Sequence, residues 1–191
     1  MVQQHSVSAP LSWRHLLWLA LLVAASVAFS LGFACAVPLA AFAAAAALTL
    51  SRADALVLVL LVWLANQLVG FSVLGYPWDT STIAWGAVLG AVAVLATLVS
   101  QWTAARLAEA ARALCFTLTF LIAFAVYEAA LLVVSATWLG GTEIFTAEIQ
   151  GRILVINAAA FVGLLALNRV AISVGLVASP RVAISLTERH A

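Results

Sequence analysis

From Leu16 to Leu50 the chain carries no charged side chain. A helix needs about 20 apolar residues to cross roughly 30 Å of hydrocarbon. The run is too long for one crossing and too apolar for a soluble surface. The rest of the sequence continues the pattern. Charged residues make up 8% of the chain and hydrophobic residues 66%, whereas a soluble domain carries about a quarter charged. Too few charges remain to solvate a globular exterior, so the expected fold class is an all-α integral membrane protein. At 191 residues, one transmembrane domain is the natural division.

Spans are expected near 13–32, 34–51, 55–75, 82–101, 114–139 and 153–177. The first two must be cut from the uncharged run. Gly32 to Pro38 is the natural turn there, because Gly and Pro punctuate helices; one long helix is the alternative. Arginine placement tests the count. With the N-terminus inside, Arg14, Arg52, Arg106, Arg112, Arg169, Arg181 and Arg189 fall at or near the cytoplasmic side. Only Arg152 falls outside, where the loops hold Asp79, Glu143 and Glu148. Basic excess in short loops sets orientation, so the expectation is a six-transmembrane-helix bundle, N-in and C-in, multi-pass in a bacterial inner membrane. Five spans would move Arg14 outside. The apolar run after Arg14 and His15 exceeds the roughly 7–15 residues of a signal-peptide core, so this segment is expected to be retained. The inner loop Gln101–Ala113 reads as a short amphipathic turn, either a solvated cap or a docking surface.

Several chemistries are excluded. No GxxxxGK[ST] phosphate loop occurs. The histidines, His5, His15 and His190, all lie outside the expected spans. That removes intramembrane haem ligation and an HExxH metalloprotease, and it leaves Ser72 of Gly70-Phe71-Ser72 without a base. Cys35 and Cys115 sit singly in apolar surroundings and read as small hydrophobes. No metal, cofactor or enzymatic activity is expected. A net charge of +1 gives no reason to expect nucleic acid as a partner.

Polar side chains in a bilayer are costly and usually face an interior or a cavity. Asn66 and Gln67 in the third span, Glu128 in the fifth and Asn157 in the sixth are the prominent ones. At 1.5 Å per residue, Gln67 and Asn157 lie roughly 12 and 8 Å below the outer ends of their spans, with Glu128 deeper, near the midplane. The outer loops and helix ends add Tyr76, Trp78, Asp79, Trp85, Trp138 and Glu143. Together these predict an outward-open pocket with apolar walls and a few polar anchors. The plainer reading is an interfacial aromatic belt plus interhelical hydrogen bonds.

The first span carries Ala20, Ala24, Ala28 and Gly32, a small residue at every fourth position. Such a stripe lets a second helix approach closely, within the bundle or from a separate subunit. Gly86 and Gly90 stand in the same relation in the fourth span.

The length, the helix count, the stripe and the outer pocket resemble the substrate-binding S component of an energy-coupling factor (ECF) vitamin transporter. The resemblance covers the whole chain in architecture and rests in motif on Ala20, Ala24, Ala28 and Gly32. It implies capture of a vitamin or precursor from the outer face, and docking of the stripe on a transmembrane coupling protein driven by two ATPases. The segment Gly75-Tyr76-Pro77-Trp78-Asp79, between Asn66-Gln67 and Trp85-Gly86, looks like the ligand element. Cobalamin-type ligands, thiamin precursors, riboflavin and biotin all stay open. A non-transport scaffold or assembly factor, and a small secondary carrier acting as an oligomer, are the competing readings.

Overall fold

A computed structural model of the chain describes residues 13–32 and 37–177. His5, Cys35, Arg181, Arg189 and His190, and most of the expected first turn, lie outside the described residues. Six helices follow in order: α1 (Trp13–Gly32), α2 (Leu39–Thr49), α3 (Arg52–Ser72), α4 (Thr80–Arg106), α5 (Arg112–Val134) and α6 (Ala147–Ser173). A π-helical turn, Ser135–Leu139, extends α5, and a short 3-10 turn, Thr142–Ile144, precedes α6. Among the described residues there is no strand.

Five of the helices are long and apolar enough to cross a membrane. The second expected span differs. Its helix has 11 residues, which at 1.5 Å each reach roughly 16 Å, half a hydrocarbon core. Pro38 precedes its first residue, and Leu50 leaves the helical region at φ −118°. Ser51 then starts α3, its side chain accepting from the Asp54 amide at 3.2 Å, as N-terminal caps do.

α2 is the core of the molecule. Leu39 to Ala46 are all buried, half of them completely, and α3, α4, α5 and α6 all pack against α2. Alanine is the strongest helix former and the smallest side chain with a Cβ. A run of alanines therefore holds a helix while letting four neighbours close around it. A helix surrounded on all sides needs no apolar stripe, and this one has none. α1 stands outside this ring against α3, while α4 lies between α3 and α5.

The outward faces of the long helices are as apolar as the inside. Leu60, Leu64, Leu68, Leu121, Val155 and Val162 are all exposed. A soluble monomer does not display apolar surface continuously on every helix; lipid accommodates it. The protein is a multi-pass membrane protein.

One end of the bundle gathers the arginines. His15 Nε2 lies 3.1 Å from Asp54 Oδ1, joining the starts of α1 and α3. Arg14 donates to the Gly175 carbonyl just past α6, and Gln101 Nε2 donates to the Arg52 carbonyl at 3.0 Å. Three boundaries differ from expectation. α4 runs on to Arg106, absorbing half of the loop read as a separate amphipathic turn. α5 starts at Arg112. α6 starts at Ala147, where Thr146 caps the Ile149 amide and Glu148 occupies the first turn. Acidic residues suit a helix N-terminus, so Glu148 and Arg152 belong to the helix rather than to the outer loop.

Candidate functional site

The end of α2 that stops short inside the bundle opens onto a cavity of about 90 Å³ in the half of the bundle away from the arginines. It is lined by Val37, Leu39, Trp63, Asn66, Gln67, Tyr76, Leu89 and Tyr127. Leu39 is the first residue of α2, so a helix N-terminus, with its partial positive charge, faces this space. Among the described residues no carboxylate, arginine or histidine lines it.

Each wall follows from local sequence. Trp63, Asn66, Gln67 and Gly70 recur at three- and four-residue spacing, placing them on one face of α3. The indole Nε1 of Trp63 donates to the Gly86 carbonyl at 2.8 Å. Gly86 and Gly90 make room for this face. A Cβ at Gly86 would lie 2.6 Å from Gln67 Oε1, and one at Gly90 would lie 2.7 Å from the Trp63 indole. The glycine pair of α4 thus seats two side chains rather than a second backbone. At the end of α3, Gly75 adopts φ +69°, a left-handed turn that suits glycine. The chain folds back so that the Tyr76 N–H donates to the Gly70 carbonyl at 3.0 Å. The Tyr76 ring then covers Gly70, where a Cβ would stand 2.5 Å from it.

Behind the cavity lies a buried hydrogen-bond network. Asn66 Nδ2 donates to the Val62 carbonyl at 2.7 Å and to Ser26 Oγ at 3.3 Å. Ser30 donates to Asn66 Oδ1. Asn157 of α6 reaches the same level from the other side. Its Oδ1 accepts from the Ala41 amide at 3.2 Å, and its Nδ2 donates to the Ile153 carbonyl at 3.0 Å. It occupies one of the amides a helix start leaves open, so its role here is to fix α2 rather than to line the cavity.

Of the residues the sequence singles out, Asn66, Gln67 and Tyr76 converge on this cavity. Trp78 is 77% exposed and packs its ring 4.3 Å from Phe71. The two rings, with Gln67, Leu68 and Ser72, border an apolar groove of about 170 Å³. Gln67 belongs to both spaces. Asp79 caps α4, accepting from the Thr82 amide at 2.7 Å, and Trp85 lies half-buried outside the cavity. Trp138 and Glu143 are exposed on the turns before α6.

Glu128 is not among the residues that line the cavity. Its carboxyl lies within hydrogen-bonding reach of Gln150, three residues into α6 and so about 5 Å from that helix's start. Adjacent residues on a helix point about 100° apart, so Tyr127 takes the cavity and Glu128 the α6 side. The sequence reading missed Trp63, Tyr127 and the serine pair. The signals were present: Trp63 sits four residues before Gln67, and Ser26 and Ser30 share the phase of Trp18 and Leu22, which also face inward.

The stripe on α1 is laid open. Ala20, Ala24, Ala28 and Gly32 are all exposed, and among the described residues nothing stands within 4 Å of a Cβ built at Gly32. The opposite face of α1, Trp18, Leu22, Ser26 and Ser30, is the one buried.

The Asp79 cap has a pH signature. Hydrogen bonds from the Thr82 backbone and hydroxyl hold its carboxyl below the ordinary aspartate value. A depressed folded-state pKa stabilises above the unfolded value and is lost as pH falls through the folded one. Protection of the Thr82 amide, measured by hydrogen exchange and corrected for intrinsic rate, should therefore persist at about pH 5 and fail only below the usual aspartate range. Asp79→Ala should lack it at every pH.

No protein-family model, curated protein or solved structure matches this chain.

Proposed function

We propose that this protein is the substrate-binding membrane subunit of an uptake system for a vitamin or vitamin precursor, with separate ATPase-driven partners supplying the energy. The observation that carries the reading is the convergence of Asn66, Gln67 and Tyr76 on one cavity at the open end of a half-length helix. Interrupted helices whose ends face a space near the midplane are how membrane transport proteins hold polar ligand groups without a full charge in lipid. Gln67 joins that cavity to the Phe71–Trp78 groove. This suits an amphipathic ligand whose polar end enters the cavity while its apolar part lies on the aromatic rings. At about 90 Å³ the cavity admits only a few atoms, which favours a compact vitamin over a corrin ring.

The topology that goes with this reading has six crossings, N-in and C-in. α1 and α3 start at the same end, so the chain between them returns through the bilayer. Within the described residues α2 runs in that returning direction, ending at Thr49 beside Arg112 and Arg169. The end that gathers Arg14, Arg52, Arg106 and Arg112 is then cytoplasmic. The exposed stripe on α1 is the docking face for a transmembrane coupling protein.

Thermal shift of the detergent-purified chain against thiamin, riboflavin, biotin and their precursors tests the first half. A binding ligand at 100-fold excess over its Kd should stabilise by about 2.7 kcal/mol. Gln67→Leu should lose the shift while Trp138→Ala keeps it. No shift with any member leaves the scaffold reading ahead. Capture of ATPase-bearing partners by tagged protein tests the second half, with Ala24→Leu expected to lose them.

A further inference from the structure

We propose that the cleft between α5 and α6 at the arginine end binds the headgroup of an anionic phospholipid. The inference does not rest on the transport reading. α5 and α6 both pack on α2 and meet each other only sparsely, so a gap remains between them. Its volume is about 350 Å³, within the roughly 300–1,000 Å³ of ligand pockets and larger than the outer cavity.

The lining has two parts. Arg112, the first residue of α5, and Arg169, one turn before the end of α6, supply two guanidiniums, with Asn168 and Thr49 as further polar groups. Leu48, Phe116, Leu165 and Ile172 supply an apolar wall. Among the described residues neither arginine forms an ion pair; the one such contact is His15 with Asp54. Two cations that keep no carboxylate partner, at the mouth of an apolar cleft between membrane helices, complement a phosphodiester carrying acyl chains. Basic pockets between helices at the cytoplasmic leaflet take such headgroups, and guanidinium matches phosphate oxygens in a bidentate way. The helix ends oppose an anion weakly: α5 starts here while α2 and α6 end here, a net of about half a negative charge. The two full charges decide the balance. The apolar wall selects a lipid over a free phosphate, which would leave it uncovered.

Native mass spectrometry of the full chain in neutral detergent tests this. The chain is titrated with dioleoylphosphatidylglycerol, with dioleoylphosphatidylcholine, and with glycerol 3-phosphate as the free anion. Each arginine near a membrane surface is worth about fivefold in binding an anionic lipid, so the wild-type protein should prefer the glycerol lipid by roughly 25-fold. Arg112→Gln and Arg169→Gln should each remove about fivefold, and together bring the two lipids to parity. Both side chains are exposed, so each single variant should elute as wild type. Arg152→Gln, on the start of α6 at the other end, should keep the full preference. Equal binding of the two lipids by wild type would overturn the proposal, as would a preference that survives the double variant. Displacement of the lipid by equimolar glycerol 3-phosphate would also overturn it, by showing a site for a soluble anion.

Discussion

Replacing Asn157 with leucine is expected to lower the unfolding free energy by about 1–3 kcal/mol, the cost of leaving a buried polar group without its partner. The Asn157 Oδ1 accepts from the Ala41 amide, and Ala41 is completely buried, so water cannot replace the lost acceptor. In a protein of this size that energy corresponds to roughly 2–12 °C in Tm. The comparison variant is Asn66→Leu. It removes a hub that is also buried, yet Ser26 keeps its bond to the Val23 carbonyl at 2.7 Å and Ser30 keeps its bond to the Ser26 carbonyl at 3.0 Å. Its loss should approach the average of about 0.6 kcal/mol for one interhelical bond in a membrane protein. Thermal unfolding in one detergent ranks the two. Equal Tm values would mean that α6 does not hold the start of α2.

Gly90→Ala is the second variant expected to have a large effect. The added methyl would stand 2.7–3.0 Å from three atoms of the Trp63 indole. Trp63 cannot simply rotate away, since its Nε1 is bound to the Gly86 carbonyl. Overpacking of this kind costs about 1–3 kcal/mol, against a helix-propensity gain of up to about 1 kcal/mol for replacing glycine. The net should be destabilising, with the displaced indole narrowing the cavity. Gly86→Ala is the contrast: its methyl meets the end of the flexible Gln67 side chain, which can turn aside. Stability should then change little, while any ligand held by Gln67 is lost. A Tm for Gly90→Ala at or above wild type would show that the α3–α4 contact is looser than these distances state.

The two variants probe the two supports of one arrangement. Asn157 fixes where α2 begins, and Gly86 and Gly90 fix where the α3 wall stands. The cavity is the space left between them. Asn66 and the α1 serines link that wall to the helix that carries the exposed stripe.

Much of this was legible in the residue order. Membrane residence follows from the uncharged run of Leu16 to Leu50 and from five runs long enough to cross lipid, because length and apolarity are set residue by residue. The small-residue stripe and the face shared by Trp63, Asn66 and Gln67 follow from helical spacing alone. The same reasoning does not show that α2 stops after 11 residues, since an alanine run satisfies a full span and a half span equally. It also cannot say which side of α5 looks inward, so Glu128 took the place that Tyr127 occupies. Nor does it show that Gly86 and Gly90 serve side chains from α3. Those outcomes depend on which helices surround which, and that is decided only when α3, α4, α5 and α6 close around a helix with no preferred face of its own. Periodicity orients a helix only when one side differs from another; where every side is apolar, packing partners make the choice.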